Sequence, residues 1–90
     1  MTSQSQPTLH LRIMAPTSVI FEGEVESVSA SNHVGPFDIL SGHTNFFTLL
    51  SNGTIIASKD GKQTSFEVQK GILKVQNDTV TVYANVGTIG

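Results

Sequence analysis

Three residues in and beside the stretch VGPFDILSGHTNF could do chemistry: His33, Asp38 and His43. Zinc accepts imidazole nitrogen and carboxylate oxygen, and His10 could supply a fourth ligand. The H-x4-D-x4-H spacing matches no zinc motif, however, and neither a cysteine nor an HExxH segment supports it. Serines are plentiful, but none stands in a GxSxG elbow. Gly35, Gly42 and Gly53 form neither a GxGxxG nor a Walker loop. Glu22, Glu24 and Glu26 could act as paired carboxylates, yet alternation puts all three on one strand face, where they read as a solvated acidic edge that discourages aggregation. The expectation is no catalytic residue, no metal site and no cofactor, so the chemistry of this chain is that of surfaces.

Composition narrows which surfaces. Ninety residues make one domain, and a chain this short buries only about 60–65% of its unfolded surface, so its core must be continuous. Without cysteine, no disulfide can staple it. Five Lys plus Arg against seven Asp plus Glu offer no basic patch for nucleic acid. Lys59, Lys62, Lys70 and Lys74 are spread thinly, as on ordinary solvated faces. No apolar run reaches the ~20 residues of a membrane span, and the polar MTSQSQPT start lacks the apolar centre of a signal peptide. Residues 1–7 read as a disordered lead-in, and the chain as cytosolic or as a soluble part of something larger.

The elements that must present these surfaces are strands. Leu9, Leu11 and Ile13 alternate with His10 and Arg12; Phe66 and Val68 alternate with Glu67 and Gln69; Val80, Val82 and Ala84 alternate with Thr81 and Tyr83. Between such runs stand turn signals at Ala15-Pro16-Thr17, Glu22-Gly23, Ser51-Asn52-Gly53, Asp60-Gly61 and Asn77-Asp78. No window makes a convincing helix, and Thr44 to Ser51 is expected to be mostly extended. The inward set is expected to be Leu11, Ile13, Phe21, Val25, Val28, Phe37, Ile39, Leu49, Ile55, Phe66, Val68, Leu73, Val75, Val80 and Val82. Val25 and Val28 differ in parity, which on a single strand calls for a bulge or for packing on both faces; a bulge is the preferred reading because Gly23 loosens the segment. The fold class is all-β: one domain of two packed sheets.

Read in order, LRIMAPTSVIFEGEVESV, VGPFDILSGHTNFFTLLSNGTI and FEVQKGILKVQNDTVTVYAN resemble the epsilon subunit of bacterial F-type ATP synthases, the delta subunit of mitochondria. The resemblance covers residues 8–86, leaving 87–90 as a short tail. It implies a flattened β-sandwich of about ten short strands. It also implies a non-catalytic rotor subunit of the central stalk, which couples the gamma subunit to the c ring during proton-driven ATP synthesis. Such a subunit sits in the F1 sector, peripheral on the cytoplasmic face of the bacterial inner membrane, without inserting into it. The other reading is an epsilon-like β-sandwich binding module that acts outside the synthase.

Carried over by position, the resemblance makes Gly42, His43, Ala15 and Pro16 candidates for the gamma interface. Val34, Gly35 and Pro36 match the loop that faces the c ring, and Gly71, Ile72 and Leu73 match a structural core element. The chain departs from the family's pattern at Pro36, in place of a usual glutamate, and at Asp38, in place of a common glycine. Ser41 and Asn45 replace the prolines that flank the Gly-His turn, a loss expected to cost about 0.4–1 kcal/mol each through the unfolded chain. The family's C-terminal helical hairpin has no counterpart before the sequence ends at Gly90, so its inhibitory function is expected to be absent unless the sequence is part of a longer chain.

Overall fold

The computed structural model describes residues 7–86, with side chains described as far as Ala84. The lead-in (apart from Pro7) and the tail expected at 87–90 lie outside the described residues. Eight strands follow one another: β1 (Leu9–Ala15), β2 (Ser18–Val25), β3 (Ser27–Asn32), β4 (Gly35–Leu40), β5 (Phe46–Leu50), β6 (Gly53–Lys59), β7 (Lys62–Gln76) and β8 (Thr79–Val86). About ten were expected; the fifteen-residue β7 counts once but serves two layers. Its first half pairs with β6, from Lys62 to Val68. Its second half lies between β5 and β8. One layer is therefore β2-β1-β8-β7-β5 and the other β7-β6-β3-β4. All pairs are antiparallel except β1 with β8.

Side-chain parity explains how one strand joins both layers. Val68 faces the core midway along β7, and Leu73 and Val75 face it toward the strand's end, an odd offset that a regular strand cannot accommodate. The register slips between Val68 and Lys70, so Gln69 is the extra residue of a bulge that turns the strand's inward face over. A second bulge lies in the β1–β2 pair: Ile13 faces Phe21 and Met14 faces Val19, leaving Ile20 unopposed. The bulge expected between Val25 and Val28 does not form. The chain instead changes layer at Glu26, which leaves β2 and β3 as separate strands, and the Glu26 N–H donates to the Ser58 carbonyl at 2.7 Å.

Leu9, Leu11, Ile13, Val28, Ile39, Ile55, Leu73, Val75, Val80 and Val82 fill the space between the layers. Phe21, Phe37, Phe46 and Phe66 are half-buried against them. Phe21 of β2 meets Phe66 of β7 with ring centroids 5.3 Å apart. Phe37 of β4 meets Phe46 of β5 edge-on at 5.8 Å. These pairs join the layers on opposite flanks of the sandwich, and such contacts contribute about 0.5–1.5 kcal/mol beyond their burial.

Two turn readings hold for a shared reason. Asp60 and Gly61 have φ of 52° and 77°, and Asn77 and Asp78 have 50° and 60°; two successive positive φ angles are what a type I′ hairpin turn needs. Glu22-Gly23 is not a turn: both residues lie within β2, opposite Arg12 and Leu11, and the Phe21 ring packs alongside Gly23. Thr44 to Ser51 is extended over Phe46–Leu50, as expected. Leu49, expected inside, is 63% exposed, whereas Leu50 is buried. Both parities of FFTLL are apolar, so alternation could not choose between them.

Three substitutions check this packing. Leu50→Ala should cost about 2–5 kcal/mol while Leu49→Ser stays within about 0.5, as read from urea unfolding. A Cβ on Gly71 would lie 2.7 Å from the Tyr83 carbonyl oxygen and 2.8 Å from the Ala84 Cβ. Gly71→Ala should therefore lower the urea midpoint by about 1–3 kcal/mol of stability with the m-value unchanged.

Candidate docking face

The residues with chemical potential do not converge. His33 occupies the β3–β4 turn, His43 follows the far end of β4, and Asp38 lies between them on β4. Asp38 accepts the Ser29 hydroxyl across the strand pair at 2.7 Å. The candidate interface residues separate as well. Ala15 and Pro16 close the β1–β2 hairpin at one end of the sandwich, called here the Pro16 end. The β3–β4 hairpin with Val34, Gly35 and Pro36 projects from that end too, since the Ser51 N–H donates to the Ser31 carbonyl beside it at 3.2 Å. Gly42 and His43 lie at the opposite, Asp78 end, where His10 N–H donates to the Asp78 carbonyl at 2.9 Å. A strand rise of ~3.3 Å per residue from His10 to Pro16 separates the ends by roughly 20 Å.

The side chains that alternation turns away from the core make the larger surface. Register alone places Leu49, Ile72, Tyr83, Met14 and Val19 side by side across five strands, β5-β7-β8-β1-β2. At ~4.8 Å between strands this row is roughly 19 Å wide. Leu49, Tyr83, Val19 and Ile72 are all exposed, and Phe47, one strand step from Leu49, is 62% exposed. Ile72, carried over as part of a core element, therefore belongs to the outer face. Beside the row is an open cleft of about 570 Å³ lined by Met14, Ala15, Pro16, Ile72 and Tyr83, with Lys70 adding one charge.

Toward the Asp78 end the same face becomes polar. The next row reads Phe47, Lys74, Thr81, Arg12 and Glu22, and the one beyond it Gln76, Thr79, His10 and Glu24. His10 bridges two carboxylates, with Nδ1 2.8 Å from Glu24 Oε2 and Nε2 2.8 Å from Glu22 Oε2. Thr8 donates to Glu24 at 2.9 Å, and Arg12 Nε lies 3.6 Å from Glu22. Both ring nitrogens can donate only in the imidazolium form. The bonds to Glu24 first and Glu22 second accordingly raise the His10 pKa, and the bond from His10 lowers both carboxylates. Glu22 and Glu24 are exposed on the edge strand as the acidic-edge reading expected; Glu26 lies beyond the end of β2.

Residues 8–88 match the family described as the ATP synthase, Delta/Epsilon chain, beta-sandwich domain. The chain belongs to this family. Similar proteins include the ATP synthase epsilon chain of Bradyrhizobium sp. (strain ORS 278), 30% identical over 81 residues that cover 90% of this chain and 60% of the relative. The ATP synthase epsilon chain of Citrifermentans bemidjiense is 34% identical over 74 residues, 82% of this chain and 54% of that one. The delta/epsilon domain thus spans 60% or less of the length of these relatives. Its fold is also that of a chain in the Euglena gracilis mitochondrial ATP synthase structure (OSCP/F1/c-ring), with a TM-score of 0.84 at 16% identity over 94% of this chain and 56% of that chain.

Sequence reasoning missed the outer row of this delta/epsilon domain, although a signal for it is present. All five strands of the row carry adjacent apolar residues of opposite parity, Ile13-Met14, Val19-Ile20, Leu49-Leu50, Ile72-Leu73 and Val82-Tyr83, as do β4 with Ile39-Leu40 and β6 with Ile55-Ile56. Strands apolar on both faces belong to sheets covered on both faces.

The His10 bridge has a testable pH dependence. Its folded pKa is raised, so its contribution to stability is complete below the ordinary imidazole value of 6.5 and is lost as pH rises through the folded value. The lowered carboxylates contribute above their ordinary value of 4.5 and lose that contribution as pH falls through their folded values. Thermal melts from pH 5 to 8 should show a decline in Tm on the alkaline side that His10→Gln removes.

Proposed function

We propose that this domain is a non-catalytic central-stalk subunit of a proton-translocating F-type ATP synthase, coupling the gamma subunit to the c ring during rotary ATP synthesis. Family membership supports the setting. The observation that carries the docking role is the apolar row Leu49-Ile72-Tyr83-Met14-Val19 on the outer face. A contiguous exposed apolar patch with a polar border marks an interaction surface, and we assign gamma to it. Ala15 and Pro16 line its cleft and belong to the same contact. Gly42 and His43, roughly 20 Å away along the strands, touch gamma only where it runs the length of the sheet.

The c ring is assigned to the β3–β4 hairpin at the Pro16 end, where Val34 is 82% exposed. Val34 and exposed Pro36 make that contact apolar, in place of the charge contact a glutamate would supply. A sandwich closed on both flanks by Phe21–Phe66 and Phe37–Phe46 suits a part that transmits torque, because a close-packed interior is barely compressible. In a bacterial cell this role puts the domain in the F1 sector, peripheral on the cytoplasmic face of the inner membrane.

The cognate gamma subunit tests the assignment by calorimetry. The wild-type domain should bind at micromolar concentration or tighter. Ile72→Asp with Tyr83→Asp should weaken binding by about a hundredfold or more, as charges do at a buried interface centre, while Tm is retained. Absence of binding by the folded wild type would sink the proposal.

A further inference from the structure

The geometry points to Asp78 as a positioning residue: its carboxylate holds the Gly42–His43 turn and thereby the start of β5, whose Phe47 and Leu49 extend the outer apolar row. Asp78 stands at the tip of the β7–β8 hairpin with φ of 60°, a conformation that Asp and Asn tolerate better than most side chains. Its Oδ1 accepts the Gly42 N–H at 2.8 Å and its Oδ2 accepts the Ser41 hydroxyl at 3.1 Å. Its carbonyl accepts the His10 N–H at 2.9 Å. Next to it, the Asn77 N–H donates to Asn45 Oδ1 at 2.9 Å. One hairpin tip thus grips both ends of the 41–45 link, which carries the chain from β4 in one layer to β5 in the other.

That link has little else to hold it. Within it, the His43 N–H donates to the Leu40 carbonyl at 3.0 Å, closing a β-turn whose third residue, Gly42, has φ of 85°, as a type II turn requires. His43 Nδ1 lies 2.8 Å from the Thr44 carbonyl, and its ring rests 5.0 Å from that of Phe46. Among the described residues β5 has a ladder with β7 alone, so the position of its first residues depends on the turn before it. Ser41 and Asn45 tie this turn to the β7–β8 tip. Hydrogen bonds to a charged acceptor are roughly twice as strong as neutral ones, which suits a half-buried staple.

The role of Asp78 in the turn stands on the domain alone, and its effect on docking rests on the gamma assignment above. Asp78→Gly removes the carboxylate and relaxes the positive φ, so the hairpin itself is spared. Asp78→Asn keeps an acceptor for the Gly42 N–H. Hydrogen exchange of the isolated domain should show Gly42 protection falling about tenfold or more in Asp78→Gly and far less in Asp78→Asn. Val68→Ala, a buried-core change at the Pro16 end of the sandwich, should lower Tm without selectively exposing Gly42. Gamma affinity, measured well below each Tm, should fall several-fold in Asp78→Gly and recover in Asp78→Asn. Unchanged Gly42 protection in Asp78→Gly would overturn the staple. A loosened turn with undiminished gamma affinity would overturn its part in docking. Failure of the wild type to bind gamma would instead overturn the assignment of gamma, with the exchange result still deciding the staple.

Discussion

β7 has to serve two sheets, and a strand can do so only if it exchanges its inward face partway along. The extra residue Gln69 makes that exchange. It leaves Val68 facing the β6 layer's side of the core and brings Leu73 and Val75 to the β5–β8 side. Every other long-range relation follows from this reversal. Because β7 is continuous, its two layers are bound covalently through one backbone, and the aromatic pairs on either flank only have to close what β7 has already aligned. Gly71, directly after the reversal, has no room for a side chain beside Tyr83 and Ala84, which shows how closely β8 must approach there.

The reversal also shapes the outer surface. After it, Leu73 and Val75 turn inward and Ile72 points outward, next to Tyr83 and Leu49, so β7 shows one apolar residue in the middle of the sheet. The face is graded along the strand direction: apolar near Pro16, charged near His10. A partner seated on such a face finds its orientation set by that gradient as well as its affinity by the apolar row. The ionic end contributes little to affinity because its groups remain in water, but it disfavours a reversed partner.

Local chemistry and the two-sheet fold class were legible in the sequence; the bulges and the pairing order were not. The alternation of Leu9, Leu11 and Ile13 and of Val80, Val82 and Ala84 read correctly, because parity is a property of a few consecutive residues. Asp60-Gly61 and Asn77-Asp78 read correctly because a hairpin turn states its φ requirement in two residues. The bulges at Ile20 and Gln69 carry no such mark, and each shifts the parity of everything beyond it. Leu49 was misplaced because Leu50 offered the core an equal side chain at the other parity. Gly23 looked like a turn because glycine also suits a strand packed beside a phenylalanine ring. On the surface, Pro16 and Val34 were visible as loop tips. The row from Leu49 to Val19 draws one residue from each of five strands, and only the pairing order assembles it.

The parallel pair of β1 and β8 sets the order in which this domain can come together. Its partners, such as His10 and Thr79, are about seventy residues apart in the chain, and closing so long a loop must precede the contacts that reward it. During synthesis the β1–β2 hairpin therefore waits with one edge of β1 unpaired and Leu9, Leu11 and Ile13 uncovered until β8 leaves the ribosome. Such an edge is open to pairing with another chain. The domain is thus a late folder by topology, and its most vulnerable moment comes before β8 exists.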